Sequence, residues 1–117
     1  MWVFTKHGFF SIVQDKDDEN YLIVRARVKG DLEELLGGTN GFQDQYPIQE
    51  DTGSDYRYRI RADREIVAEL VCEETLSIDY TNYKAAVNMV DQRRSEYYGM
   101  VWAIMADMQD HFNNPEE

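Results

Sequence analysis

Two short stretches alternate arginine with apolar or aromatic residues: Val24-Arg25-Ala26-Arg27-Val28 and Tyr56-Arg57-Tyr58-Arg59-Ile60-Arg61. A period of two is the pattern of a strand, in which successive side chains point to opposite faces. Arg25 and Arg27 therefore share one face of their strand, and Arg57, Arg59 and Arg61 share one face of theirs. Five of the twelve basic residues lie in these ladders, in a chain whose formal net charge is −11. The acids spread almost everywhere else, which predicts a sided molecule.

Ahead of the first ladder, Trp2 to Gln14 has the composition of a β-hairpin. Val3, Phe4, Phe9, Phe10, Ile12 and Val13 favour strand, and Lys6-His7-Gly8 supplies the turn. The charged connection Asp15-Lys16-Asp17-Asp18-Glu19-Asn20 leads into a strand over residues 21–28, with Leu22, Val24, Ala26 and Val28 facing inward. Three strands in succession predict an antiparallel meander. Gly30 then breaks the strand, Asp31 is placed to cap a short helix, and Gly37-Gly38 closes it. Residues 37–54 hold four of the seven glycines and Pro47, so they read as a long loop and a candidate functional segment, pinned by Phe42 and Tyr46.

Beyond the second ladder the period changes to that of helices. Ile66, Val67, Leu70 and Val71 form one stripe, with Asp63 as the cap. A second helix, capped by Asp79 or Thr81, turns Tyr83, Ala86, Val87 and Val90 inward. The last helix places Tyr97, Val101, Ile104, Met105, Met108 and Phe112 at helical spacing, before a polar tail over 112–117. The expected architecture is a single α+β domain over residues 1–117, an antiparallel sheet of about four strands packed with C-terminal helices.

Composition narrows the function. With 117 residues, 43% of them hydrophobic, the chain can bury a core without staples. No apolar run approaches the ~18–20 residues of a membrane span. The opening Met1–His7 lacks the basic-then-apolar layout of a signal peptide, and the lone Cys72 excludes an internal disulfide; both fit a cytoplasmic setting. The excess of 23 acids over 12 bases disfavours direct binding to nucleic acid or to anionic membranes, which depends on positive charge releasing counterions.

No catalytic constellation, metal set or cofactor motif emerges. His7 and His111 lie at opposite ends of the chain, and Cys72, beside Val71, reads as a buried inert thiol. The run from Asp15 lacks the glycine at the sixth position and the glutamate at the twelfth that a calcium loop needs. Glycines 37, 38 and 41 make no phosphate-binding loop. Among the aromatics, Tyr83, Tyr97 and Trp102 read as residues packing helices onto the sheet, while Tyr46 and Tyr98 are candidates for contact with a partner.

Several segments carry a resemblance. The opening Trp2-Val3-Phe4-Thr5-Lys6-His7-Gly8-Phe9-Phe10-Ser11-Ile12-Val13, the runs Val24–Arg27, Asp55–Arg59 and Ile78-Asp79-Tyr80-Thr81-Asn82-Tyr83-Lys84, and Tyr98–Trp102 together resemble a widespread family of small uncharacterised bacterial proteins. The resemblance touches most of the chain and implies no activity and no catalytic residue. Members often carry proline where Arg57 stands and are less acidic around the central loop, and these departures from the family pattern speak against a shared partner and point to a specialised, phage-borne variant.

Three functions remain open at this point. The first is a non-enzymatic acidic module that engages a basic protein surface or a nucleic-acid-binding complex. Its sharper form is a nucleic-acid-mimicking, anti-CRISPR-like inhibitor of a nuclease or defence complex. Its candidate contacts are Asp44, Tyr46, Glu50, Asp51 and Asp55 around the central loop, with Tyr98 in the last helix. The second is a domain that grips an anionic ligand or nucleotide through Arg25, Arg27, Arg57 and Arg59, oriented by Tyr56 or Tyr58; against it stands a solvated arginine face neutralised by Asp55, Asp63 and the acidic loop. The third is a housekeeping homodimer formed through the exposed sheet or its edge.

Overall fold

In the computed structural model, which describes residues 1–37 and 42–114 (without the side chains of 42 and 43), the N-terminal hairpin forms where the strand formers place it. Strands β1 (Trp2–Phe4) and β2 (Phe9–Gln14) pair antiparallel, with Val3 opposite Phe10. Thr5 holds the turn, its Oγ1 accepting from the N–H groups of His7 at 3.2 Å and Gly8 at 3.0 Å. A Cβ on Gly8 would lie 2.8 Å from the Cβ of Asp31, so only glycine permits this approach.

Strand β3 (Tyr21–Ala26) adds to β2, completing the expected meander. The second ladder forms β5 (Tyr58–Asp63), which pairs with β3, and the two-residue β4 (Gln49–Glu50) closes the far edge, giving the order β1-β2-β3-β5-β4, antiparallel throughout. Both ladders are shifted from their expected bounds: β3 ends before Arg27, and β5 begins after Arg57. One face carries Phe10, Ile12, Val24, Ala26, Ile60 and Ala62, all in the core. Each large aliphatic side chain buried there contributes about 1.5–3 kcal/mol relative to exposure.

Helices α1 (Lys29–Leu36) and α3 (Arg64–Leu76) cover that face with Leu32, Leu35, Leu36, Val67 and Leu70. Gly37 closes α1 in the left-handed region, at φ 73°, as expected of it. Asp31 does not cap α1, which begins two residues earlier. It is buried in the first turn, where its Oδ2 accepts the N–H of Phe9 at 3.1 Å and ties the helix to the hairpin. Asp63 stands at the N-cap of α3 but makes no side-chain capping bond there; its Oδ2 accepts from Tyr46 Oη at 2.8 Å. Tyr46 is thus pinned as expected, whereas the side chain of Phe42 and glycines 38 and 41 lie outside the described residues. The expected loop over 37–54 contains the short helix α2 (Phe42–Gln45) and β4.

The chain divides into two compact units, Met1–Asp79 and Tyr80–Glu117. The second is an α-hairpin of α4 (Tyr83–Val90) and α5 (Gln92–Asn113). Asn82 caps α4, rather than Asp79 or Thr81, its side chain accepting from the N–H of Ala85 at 2.9 Å. Asp91 ends α4 and caps α5 in the same residue, accepting from the N–H groups of Arg93 and Arg94. Val87 and Ser95 are buried in the hairpin, and Tyr83 stacks on Tyr98 at 6.1 Å between ring centroids. Val90, expected inward, is exposed, as are Tyr97 and Trp102. Among the described residues no helix is long and apolar enough to cross a membrane.

Candidate functional site

The face of the sheet opposite α1 and α3 brings the two ladders together. Arg25 pairs directly with Arg59 across β3 and β5, and Ser11 sits on the same rung of β2. Arg25 Nη2 donates to Ser11 Oγ at 2.6 Å, and Arg59 Nη2 donates to Ser54 Oγ at 2.6 Å and to the carbonyl of Tyr56 at 3.1 Å. Neither guanidinium is in an ion pair among the described residues, and the Nε of each is buried without a hydrogen-bond partner.

A self-capped turn lays Tyr56 over this pair. Asp51 Oδ1 accepts from the N–H of Gly53, and Asp55 Oδ1 accepts from the N–H of Tyr56 at 2.9 Å and from Ser54 Oγ. The Tyr56 ring lies 4.7 Å from the guanidinium carbon of Arg25 and 4.4 Å from that of Arg27, and the residue is only 4% exposed. Each such cation–π contact contributes about 0.5–2 kcal/mol, more as water is excluded. Arg27 Nη1 also donates to the carbonyl of Asp55 at 2.7 Å. The hydrogen bond from the Tyr56 N–H, helped by Ser54 and the charges of Arg27 and Arg25, holds the Asp55 carboxyl below its ordinary pKa against the effect of burial.

Of the residues proposed to grip an anion, the structure thus gathers Arg25, Arg27, Arg59 and Tyr56. Arg57 turns away to pair with Glu50 at 2.9 Å, a bond that raises its pKa, and Tyr58 packs on the opposite face against the core. Arg61 lies 3.5 Å from Asp15 and 3.8 Å from the centroid of the Tyr21 ring. Ser11 and Ser54 were not singled out from the sequence. A lone small polar residue inside Phe9-Phe10-Ser11-Ile12-Val13 was the available signal for the first.

Of the candidate partner contacts in the first unit, Asp44, Glu50, Asp51 and Asp55 are exposed and Tyr46 is not. Asp44 is exposed on α2, but Tyr46 is buried against Asp63, which together with burial pushes its phenol up in pKa. Glu50 pairs with Arg57, Asp51 and Asp55 cap their own turn, and Tyr98 belongs to the α-hairpin unit.

A further acidic surface lies on α3. Glu65, Glu69 and Glu73 follow one another at intervals of four on the exposed side of α3, and none is in an ion pair among the described residues. Burial pushes the carboxyl of the neighbouring Glu74 up in pKa, with Glu34 of α1 adding to the rise and His7 and Lys6 opposing it. The exposed side of α3 is therefore acidic. Like charges at this spacing cost a helix ~0.2–0.5 kcal/mol per pair, so the ridge is kept against a small stability cost.

An open cavity of about 450 Å³ borders α3, lined mainly by Met1, Ile12, Leu22, Val67, Val71 and Cys72. Cys72 is exposed rather than buried. At about 100° per residue it turns away from the stripe that Val71 extends. Among the described residues no three His, Cys, Asp or Glu side chains gather to hold a metal ion.

Comparison with family models, with curated proteins and with solved structures yields no match.

Proposed function

We propose that this protein is a non-enzymatic binding module whose acidic helical face docks on a basic surface of a partner protein. The observation that carries the reading is the exposed, unpaired carboxylate ridge Glu65–Glu69–Glu73 on α3, with Glu34 of α1 near its neighbour Glu74. Arg57 and Arg61 are paired with Glu50 and Asp15 across the sheet, and Arg64, which opens α3, is turned to Gln14 and the carbonyl of Glu19 rather than to the ridge. A ridge of this kind orients and accelerates encounter with a positive groove, including one built for nucleic acid. In that sharper form the protein is a nucleic-acid mimic that inhibits the complex it occupies.

Affinity capture from a host lysate, with washes of rising salt, tests the proposal. A basic partner retained at low salt and shed at high salt is expected. Retention that is indifferent to salt would overturn the electrostatic reading.

One observation favours a second reading: the partnerless buried Nε atoms of Arg25 and Arg59. An anion could satisfy both if the turn carrying Tyr56 lifted. Thermal stabilisation by inorganic phosphate or a nucleotide, absent in Arg59→Ala, would support this reading; no shift across such a panel would end it.

A further inference from the structure

We propose that α5 is a self-association surface, and that the protein pairs with a second copy of itself through antiparallel packing of the two α5 helices. The run Met100-Val101-Trp102-Ala103-Ile104-Met105-Ala106 is nearly two helical turns without a polar side chain in any direction. A helix apolar all round belongs in a protein interior. Yet Tyr97, Met100, Trp102, Ile104 and Phe112 are 61–78% exposed, and Met105 and Met108 are each 44% exposed. The hairpin partner is too short to cover them: at 1.5 Å per residue, α4 is ~12 Å long and α5 ~33 Å.

Three features select a second copy as the occupant. The first is spacing. The stripe Tyr97, Val101, Ile104, Met105, Met108, Phe112 reads the same from either end about the midpoint between 104 and 105. A two-fold axis there sets Ile104 against Met105, Val101 against Met108, and Tyr97 against Phe112 of the other copy, the self-complementarity of a two-fold interface. The second is charge. Arg93 and Arg94 open the helix, while Asp107 and Asp110 are the acids of its second half, which has no lysine or arginine. Antiparallel copies set the basic half of each helix toward the acidic half of the other and oppose their helix dipoles, a long-range preference without direct contact, since at this register Arg93 and Arg94 lie at least five residues along the axis from Asp107 and Asp110; parallel copies would stack like ends. The third is area. The exposed side chains of the stripe, Tyr97, Ile104, Met105, Met108 and Phe112, with Met100 at its edge, leave roughly 700 Å² in water, above the few hundred Å² usual for a monomer and close to the ~800 Å² per partner of a standard interface.

Light scattering on the eluting full-length protein tests this directly, with a mass near twice 13.8 kDa expected. Ile104→Glu should bring the mass down to that of one chain with unchanged far-ultraviolet circular dichroism, whereas Met89→Glu, on an exposed α4 position outside the stripe, should leave the dimer intact. In a Cys72→Ser background, oxidation should cross-link Ile104→Cys but not Tyr97→Cys, because antiparallel packing separates the two copies of position 97 by ~22 Å. A single-chain mass for the unaltered protein would overturn the proposal, whether the stripe then serves a different protein or the rest of this chain. So would a dimer that survives Ile104→Glu, and cross-linking at both positions would overturn the antiparallel arrangement.

Discussion

Arg25 and Arg59 face each other across β3 and β5 with neither in an ion pair among the described residues, each bonded to a serine hydroxyl. Two adjacent half-buried cations repel, so something must hold them, and here it is the aromatic ring and turn above. The Tyr56 ring lies over Arg25 and Arg27, and its own carbonyl accepts from Arg59. The arginine face works first as the fastening of the 51–57 turn.

Tyr56→Ala should therefore destabilise the first unit by about 2–4 kcal/mol, combining a lost buried aromatic with the lost cation–π contacts. Tyr56→Phe, which keeps the ring, should stay within about 1 kcal/mol of the unaltered protein. Urea denaturation measures both. A nearly neutral Tyr56→Ala would show that the arginines do not need the ring.

The same turn gives a pH dependence. The Asp55 carboxyl has a folded pKa below its unfolded one, so the folded state binds its proton less readily. The resulting stability is fully present above the unfolded pKa of ~3.9 and is lost as pH falls through the folded value. Asp55→Asn should lower the melting temperature at pH 7, and the gap between variant and unaltered protein should close toward pH 3. A gap that stays constant over that range would contradict the assignment.

Gly8 and Asp31 form a second tight junction. A Cβ on Gly8 would meet Asp31 Cβ at 2.8 Å and crowd the bond from the Phe9 N–H to Asp31 Oδ2. Gly8→Ala should cost about 1–3 kcal/mol by denaturation. Asp31→Ala should cost about as much by leaving the half-buried N–H of Phe9 without its acceptor.

Cys72 offers a quick check of the α3 orientation. Being exposed, it should react to completion with a maleimide under native conditions. Labelling only after denaturation would contradict the way α3 is turned.

The sheet was legible because alternation is local: Leu22, Val24 and Ala26 announce one face of β3 without reference to anything distant. The ends of the ladders were not. Alternation placed Tyr56 with Tyr58, but β5 starts at Tyr58 and releases Tyr56 to fold onto the arginine side. Asp31 has the chemistry of a cap, and only the approach of the hairpin shows that its carboxylate is needed by the Phe9 N–H. The stripe of α5 was readable as a stripe, but a period cannot say what covers it. The carboxylates of α3 were visible at spacing four, yet that they are unpaired depends on where every arginine goes.

The most direct test of the proposed function is to repeat the salt-graded capture with Glu69→Lys beside the unaltered protein. The substitution breaks two like-charge pairs in the middle of the ridge and should raise the stability of the protein itself by about 0.5–1 kcal/mol. The account predicts a more stable protein that no longer retains the salt-sensitive partner. Equal retention by both proteins, or no partner retained by either, would contradict docking through the acidic face of α3.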